Sequence, residues 1–327
     1  MFTLRFDLRA PGTGAPAPDL YEAALDMCAW AETRGAILAV LSEHHATSDG
    51  HLPSPLLMAA AVAARTRRLA VLLAAVVLPL YDPVRLAEEI SVLDNISRGR
   101  VAYAFGIGHR PAEYESLGVD AARRGRIADA NLALLRRLLR GGPVEHEGRR
   151  IHVTPPPLTP GGPRMMIAGG SPAAVRRAAR HGLGFLAQAN PPGLRELFEA
   201  ESRAHGHEPG PAQFPEKQAP TTIFVADDVD RAWHELGPHL LHDAQMAASY
   251  RPGDDSVASI TRAQTVPELR ADPRAYAVLS VDEAAARIRA GNSLGLHPLC
   301  GGLPPDVAWP YLERAALAAA RARPGQA

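Results

Sequence analysis

The 327-residue chain balances 35 basic against 35 acidic side chains and is 46% hydrophobic, which suits one large domain or two ordinary ones with a substantial core. Balanced charge argues against nucleic acid as the main partner, because neutralising phosphates needs a basic surface. Cys28 and Cys300 stand far apart and make no disulfide framework, so a reducing cytoplasm is the default location.

Taken in chain order, the first apolar run, Phe2–Leu8, is interrupted by Arg5 and Asp7 and followed by Arg9. It reads as a strand and lacks the layout of a signal peptide. Asp19–Arg34 reads as a helix that starts at a good N-cap residue and stops at Gly35. Ile37–Leu41 is a strand candidate that delivers Ser42-Glu43-His44-His45 to its end. Helices over Pro55–Arg65 and Pro83–Ile96 each begin with a proline in the first turn. They flank the strand candidate Leu69–Leu78, and the apolar run to Leu80 is too short to span a bilayer, so no membrane contact is expected.

Val101–Ile107 is the next strand, and Arg126–Arg140 sets Ile127, Asn131, Leu134, Leu135 and Leu138 on one helical face. Pro143–Gly162 is a Pro- and Gly-rich insertion in which Gly148–Val153 could form a hairpin arm. Met165–Ala168, Gly184–Ala187, Thr221–Ala226 and Leu296–Cys300 are the remaining strand candidates, with a capped helix over Ser171–His181. A long irregular segment over 242–274, with Tyr250, Arg251, Asp254 and Asp255, is expected to be a binding loop or lid. The residues after Arg321 read as a frayed tail. Lys217 is the only lysine, a compositional bias under which Arg65-Thr66-Arg67-Arg68 and Arg123-Arg124 read as solvated helix faces.

Strands alternating with helices imply parallel pairing through crossovers. Roughly eight such units fit an α/β fold of the (β/α)8 TIM-barrel type, a single domain over 1–327 with insertions at about 143–162 and 242–274. A doubly wound open sheet is the structural rival.

In a barrel of that kind the C-terminal strand edge carries the chemistry, which is where Glu43, His44 and His45 arrive. Neighbouring strand residues point to opposite faces, so one histidine meets a ligand while the other packs or anchors a loop. Glu43 could hold an imidazole tautomer. Metal binding by this cluster with His51 is the main rival, weakened because the first strand offers only Asp7 and the fifth ends in no ligand residue. Ala74 and Ala75 in mid-strand would let a planar ligand approach the backbone, or simply mark a packing gap. Ala168-Gly169-Gly170-Ser171-Pro172 joins a strand to a capped helix, the form of an anion-binding turn and equally of an ordinary βα connection. No Gly-Lys-Ser/Thr follows, Gly106-Ile107-Gly108-His109-Arg110-Pro111 fails the dinucleotide fingerprint, and Gly-x-Ser-x-Gly is absent, which excludes the simplest nucleotide-binding and esterase readings.

The order of these pieces resembles the bacterial luciferase-like monooxygenase family. Glu43-His44-His45, Leu73–Pro79 with Asp82-Pro83-Val84-Arg85-Leu86-Ala87-Glu88-Glu89, Leu93-Asp94-Asn95-Ile96-Ser97-Arg98-Gly99-Arg100 and Gly106–Arg110 carry it, together with Pro111-Ala112-Glu113-Tyr114, Leu117-Gly118-Val119 and Pro163–Gly184. The likeness runs from about residue 2 to 187 and returns weakly at 276–320.

What the resemblance implies is a TIM barrel that binds reduced FMN, supplied by a separate NAD(P)H-dependent flavin reductase, and uses O2 to oxygenate a small organic substrate. His44 would be the acid/base or donor group, with Glu43 as its neighbour or a flavin contact. A cis peptide and bulge at Ala74–Ala75 would lie beneath the flavin ring. Gly169, Gly170 and Ser171 after Ala168 would hold the phosphate, helped by Arg110. Helices at about 55–65 and 83–97 would form a homodimer interface, and no metal is implied. Hydride transfer with deazaflavin F420 on the same fold is the first alternative, and a non-catalytic flavin-binding or subunit-like chain the second. The position of the cysteine that some luciferases carry after strand four is taken by Gly108 or its neighbours, so light emission is not expected.

Overall fold

Apolar and polar residues alternate in the first strand. In β1 (Phe2–Phe6), Phe2, Leu4 and Phe6 are fully buried while Thr3 and Arg5 are half-buried on the other face. The computed structural model describes the chain except for residues 216–219, 255, 258, 273 and 324–327. Lys217, Asp255 and the end of the expected tail therefore lie outside the described residues.

After β1 come α1 (Ala17–Ala31), β2 (Ala36–Leu41), α2 (Pro55–Arg65), β3 (Ala70–Val77), α3 (Pro83–Ser97) and β4 (Val101–Gly106). Two helices, α4 (Pro111–Ser116) and α5 (Arg124–Leu138), lead to a hairpin of β5 (Val144–His146) and β6 (Arg149–Ile151). The rhythm resumes with β7 (Met165–Gly169), α6 (Pro172–Arg180), β8 (Gly184–Ala187), α7 (Leu194–Ala204) and the short β9 (Ala212–Gln213). It continues with β10 (Thr222–Ala226), α8 (Val229–Ser249), α9 (Val266–Ala271) and β11 (Tyr276–Ser280). The last elements are α10 (Val281–Arg289), β12 (Leu294–Leu296) and α11 (Pro305–Arg321).

Strands β1, β2, β3, β4, β7 and β8 are neighbours in chain order, all parallel. The last strand, β12, returns to pair with β1 and with β10, the wrapping expected of a parallel barrel. The ends of the sheet are β9 and β11, and β5–β6 form a separate antiparallel hairpin. Because the strands run one way, the segments after β2, β3, β4, β7 and β8 share one edge. Local chemistry fixes the helix starts at that edge: Asp82 accepts the Val84 and Arg85 N–H groups at the head of α3, and Ser171 accepts Ala174 N–H at the head of α6.

Three sequence expectations need correction. The segment 242–274 is not irregular throughout: its first residues belong to α8, which runs to Ser249, and α9 occupies Val266–Ala271. Helix α8 passes through Gly237 and Pro238, and Val266 of α9 packs against the helix at Gly237. Tyr276–Ser280 is a strand pairing with β10, and the final strand ends at Leu296, with Cys300–Gly302 forming a 3-10 turn in place of its expected C-terminal half. The first helix begins at Ala17, so Asp19 lies inside its first turn and is not its cap.

Candidate active site

A cavity of about 770 Å3 opens at the C-terminal ends of the strands. That lies within the roughly 300–1,000 Å3 typical of cofactor and substrate sites. Its first wall comes from the end of β2. His44 lines the cavity, and its Nδ1–H donates to Glu113 Oε1 at 2.7 Å. With Nδ1 so engaged, Nε2 is the nitrogen left for a ligand. Glu113, at the start of α4, is fully buried and also accepts the His45 N–H at 3.1 Å and Arg110 Nη1 at 3.3 Å. Burial works against its charge, but the hydrogen bond from His44 and these neighbours outweigh it and hold the carboxyl below its usual range.

His44 and His45 lie just beyond the end of β2, and His45 is not among the cavity-lining residues: its Nε2 lies 2.8 Å from Glu43 Oε1. Glu43 is buried, accepts the Val77 N–H at 3.2 Å through Oε2, and so ties the ends of β2 and β3 together. Burial raises its pKa, while the hydrogen bond to Glu43 raises that of His45. The tautomer partner of the cavity histidine is thus Glu113, not Glu43. Around His44 stand His51 at 4.8 Å, Tyr250 at 5.2 Å and His109 at 5.6 Å between ring centroids. Burial pushes His51 down to about 3 and His109 to about 4, the latter also repelled by Arg251, so both are neutral.

The second wall is β3 and β4. The Ala74–Ala75 peptide is cis, and the β3–β4 register shifts between Ala74 and Val76, which leaves Ala75 as a bulge. Opposite it, a Cβ on Gly106 would come within 3.2 Å of the Ala75 methyl. Small residues on both sides make a flat bed that a planar ring could approach.

The third wall is the turn after β7. Gly169, Gly170 and Ser171 all line the cavity beside Ala168. A Cβ on Gly170 would sit 3.2 Å from that of Ala189, so any larger residue would crowd the turn. Arg110 does not join them. It donates to the carbonyls of His45 and Ala46, stacks over the Tyr250 ring at 4.1 Å, and is not among the cavity-lining residues. The arginine that lines this end is Arg177 of α6, whose Nε is 2.6 Å from Asp129 Oδ1 and whose Nη2 donates to Gly125 O at 3.2 Å.

Tyr250 and Arg251, at the end of α8, close over the cavity from the segment expected to shape it. Arg251 donates to Gln188 Oε1 at 2.8 Å and pairs with Asp254 at 3.2 Å. Beneath Tyr250, buried Arg9 contacts Asp7, Asp49 and Asp243 at 3.0, 2.7 and 3.2 Å. Sequence reasoning missed Glu113, Arg9 and Arg177 as site residues. Glu113 stood in a motif already singled out, but nothing local pairs it with a histidine 69 positions away.

The whole arrangement matches a known family, since residues 2–322 fit the luciferase-like monooxygenases. The chain belongs to that family. Curated relatives include the alkanal monooxygenase alpha chain of Photorhabdus luminescens, 28% identical over 178 residues, 51% of this chain and 49% of the relative. Limonene 1,2-monooxygenase of Rhodococcus erythropolis is 30% identical over 168 residues, 49% of this chain and 43% of the relative. The chain thus spans about half the length of the curated relatives it matches. Among solved structures, the monooxygenase RslO1 of Streptomyces bottropensis superposes with a TM-score of 0.76 at 23% identity, covering 97% of this chain and 98% of that one. The oxygenating constituent of 3,6-diketocamphane monooxygenase from Pseudomonas putida, solved with FMN, gives 0.68 at 17%, covering 97% and 95%. At these identities the structures speak to the fold, which is the luciferase-like TIM barrel. Among the described residues no helix is long and apolar enough to cross a membrane.

Proposed function

We propose that this protein is a flavin-dependent monooxygenase that takes reduced FMN from a separate NAD(P)H-dependent reductase and uses O2 to oxygenate a small organic substrate. The observation that carries this reading is the grouping, in one cavity, of a cavity-facing histidine held by a buried carboxylate, a bulged bed of small residues and a glycine turn at a helix start.

The residues present fit FMN on three counts. The bed of Ala74, Ala75 and Gly106 has room for a flat ring only while its side chains stay small. Gly169, Gly170 and Ser171 offer backbone N–H groups to a phosphate at the head of α6, with Arg177 beside them as a fixed cation. His109 Nε2 is buried with no hydrogen-bond partner among the described residues, an unused polar atom on the cavity wall. Bound reduced flavin would supply the two electrons that activate O2. His44, oriented by Glu113, would hold or move a proton at Nε2 beside the ring. Tyr250 and Arg251 would exclude water from above. Glu43 and His45 brace the wall behind His44, and the chain would act as one domain.

The first test is anaerobic titration of the pure protein with FMNH2 and with F420. Preferential FMNH2 binding is expected, and binding of F420 alone would replace the monooxygenase reading with hydride transfer. A His44→Ala variant that turns over an identified substrate at the normal rate would show that His44 has no catalytic part. Homodimerisation through α2 and α3 belongs to the same proposal, because Leu57, Val92 and Ile96 on those helices are 75%, 45% and 46% exposed.

A further inference from the structure

The cavity continues into the barrel lumen below the flavin bed. Among the described residues its lining carries the arginines Arg5, Arg9, Arg177 and Arg251 against the acids Glu43 and Asp254. Most of these cations already have carboxylate partners: Arg9 is bound by Asp7, Asp49 and Asp243, Arg177 by Asp129 and Arg251 by Asp254. Arg5 stands apart, with no hydrogen-bond or ion-pair partner for its side chain among the described residues. The aspartates around Arg9 are turned to other groups. Asp7 meets Arg9 and His297, Asp49 meets Arg9 and His242, and Asp243 meets Arg9 and Tyr276.

Arg5 lies in β1 between Leu4 and Phe6, whose side chains are fully buried on the opposite face. Strand pairing sets it level with Val40, and Val40 level with Leu72. It is therefore two residues, about 7 Å along the strands, below Ala74. Thr221 and Gln213 belong to the same lining. A guanidinium drawn partly out of water is costly to hold without a counter-charge, and its forked donors match the two oxygens of a carboxylate.

We propose that Arg5 receives a carboxylate carried by the substrate, so that the cavity selects acidic substrates whose charged end points down the lumen from the flavin. This rests on the flavin reading above, and the test separates the two. The probes are phenylacetate and phenylacetamide, alike in shape and different in charge. Their binding is read from the absorbance changes of bound oxidised FMN and, independently, from the Tm shift of FMN-free protein.

Wild type is expected to bind phenylacetate about tenfold or more tightly than the amide. In Arg5→Met that ratio falls to about one, and Arg5→Lys keeps part of it. Without probe, Arg5→Met has a Tm equal to or above wild type, because removing an unpaired charge from the lumen relieves desolvation. Equal affinities in wild type, an unchanged ratio in Arg5→Met, or a drop in Tm that Arg5→Lys repairs would each overturn the proposal. So would a loss of FMN affinity in Arg5→Met with phenylacetate binding intact, which would assign the guanidinium to the cofactor. If wild type binds no FMN, the flavin reading fails while the FMN-free arm still decides the role of Arg5.

Discussion

The chemistry of this site depends on which carboxylate holds which imidazole. Glu43 and His45 are two positions apart and pair with each other, while His44 reaches across to Glu113 on another element. Charge on Glu113 fixes the Nδ1–H tautomer of His44, so Glu113→Gln is expected to lower turnover by roughly 10²-fold. FMN affinity should stay unchanged in a fluorescence titration, because Glu113 is not among the cavity-lining residues. His51 supports a second expectation. Burial holds it neutral, down to about 3 against an ordinary 6.5, so the unfolded chain binds the proton more readily between those values. Stability then rises with pH across that window and is lost as pH falls below about 6.5, by on the order of a few kcal/mol at full effect. His51→Asn should flatten that part of the Tm-against-pH curve, and an unchanged slope would assign the acid sensitivity elsewhere. The Glu43-His44-His45 motif was legible at this scale, as was the divergence of its histidines. Glu113 was not, because a carboxylate on a later helix finds its imidazole only through the barrel.

Among the elements, β3 and the turn after β7 were legible, because small residues inside an apolar run and glycines before a capped helix are local signals. The α8–β11 region was not. A glycine followed by proline normally stops a helix, yet in α8 the glycine is what admits a neighbour: a Cβ on Gly237 would come within 2.5 Å of Val266 Cγ1. Gly237→Ala is therefore expected to destabilise the protein by about 1–3 kcal/mol, measured by urea unfolding. A neutral result would mean that α9 moves aside freely. Strand β11 escaped detection because its five residues hold a brief apolar alternation, and its partner β10 lies some fifty positions earlier. Arg110 shows the same limit in reverse: the family resemblance implied a phosphate contact for it, whereas its guanidinium is taken by backbone carbonyls of the β2 loop and by Glu113.

For the whole molecule, one contiguous apolar core joins buried side chains from β1 to α11, and the large side chains left outside it gain meaning by contrast. Leu57, Val92 and Ile96 lie on adjacent helices and would be covered in a homodimer. A Leu57→Asp, Ile96→Asp double variant is expected to shift a dimer to monomer in light scattering, with the barrel still folded by circular dichroism. If wild type is itself monomeric at micromolar concentration, the patch needs another explanation.

The sequence by itself determined the alternation of strands and helices, the strand edge where chemistry would collect, and the three local motifs that line the cavity. Each is written in neighbouring residues, through period-two or period-3.6 burial, capping and glycine. Only the tertiary structure decided which groups face each other: His44 with Glu113, Arg9 with its three aspartates, and Arg5 in the lumen without an ion-pair partner among the described residues. The physical reason is that pairing energies act over a few ångströms of space, and a parallel barrel brings together residues whose separation along the chain carries no trace of their contact.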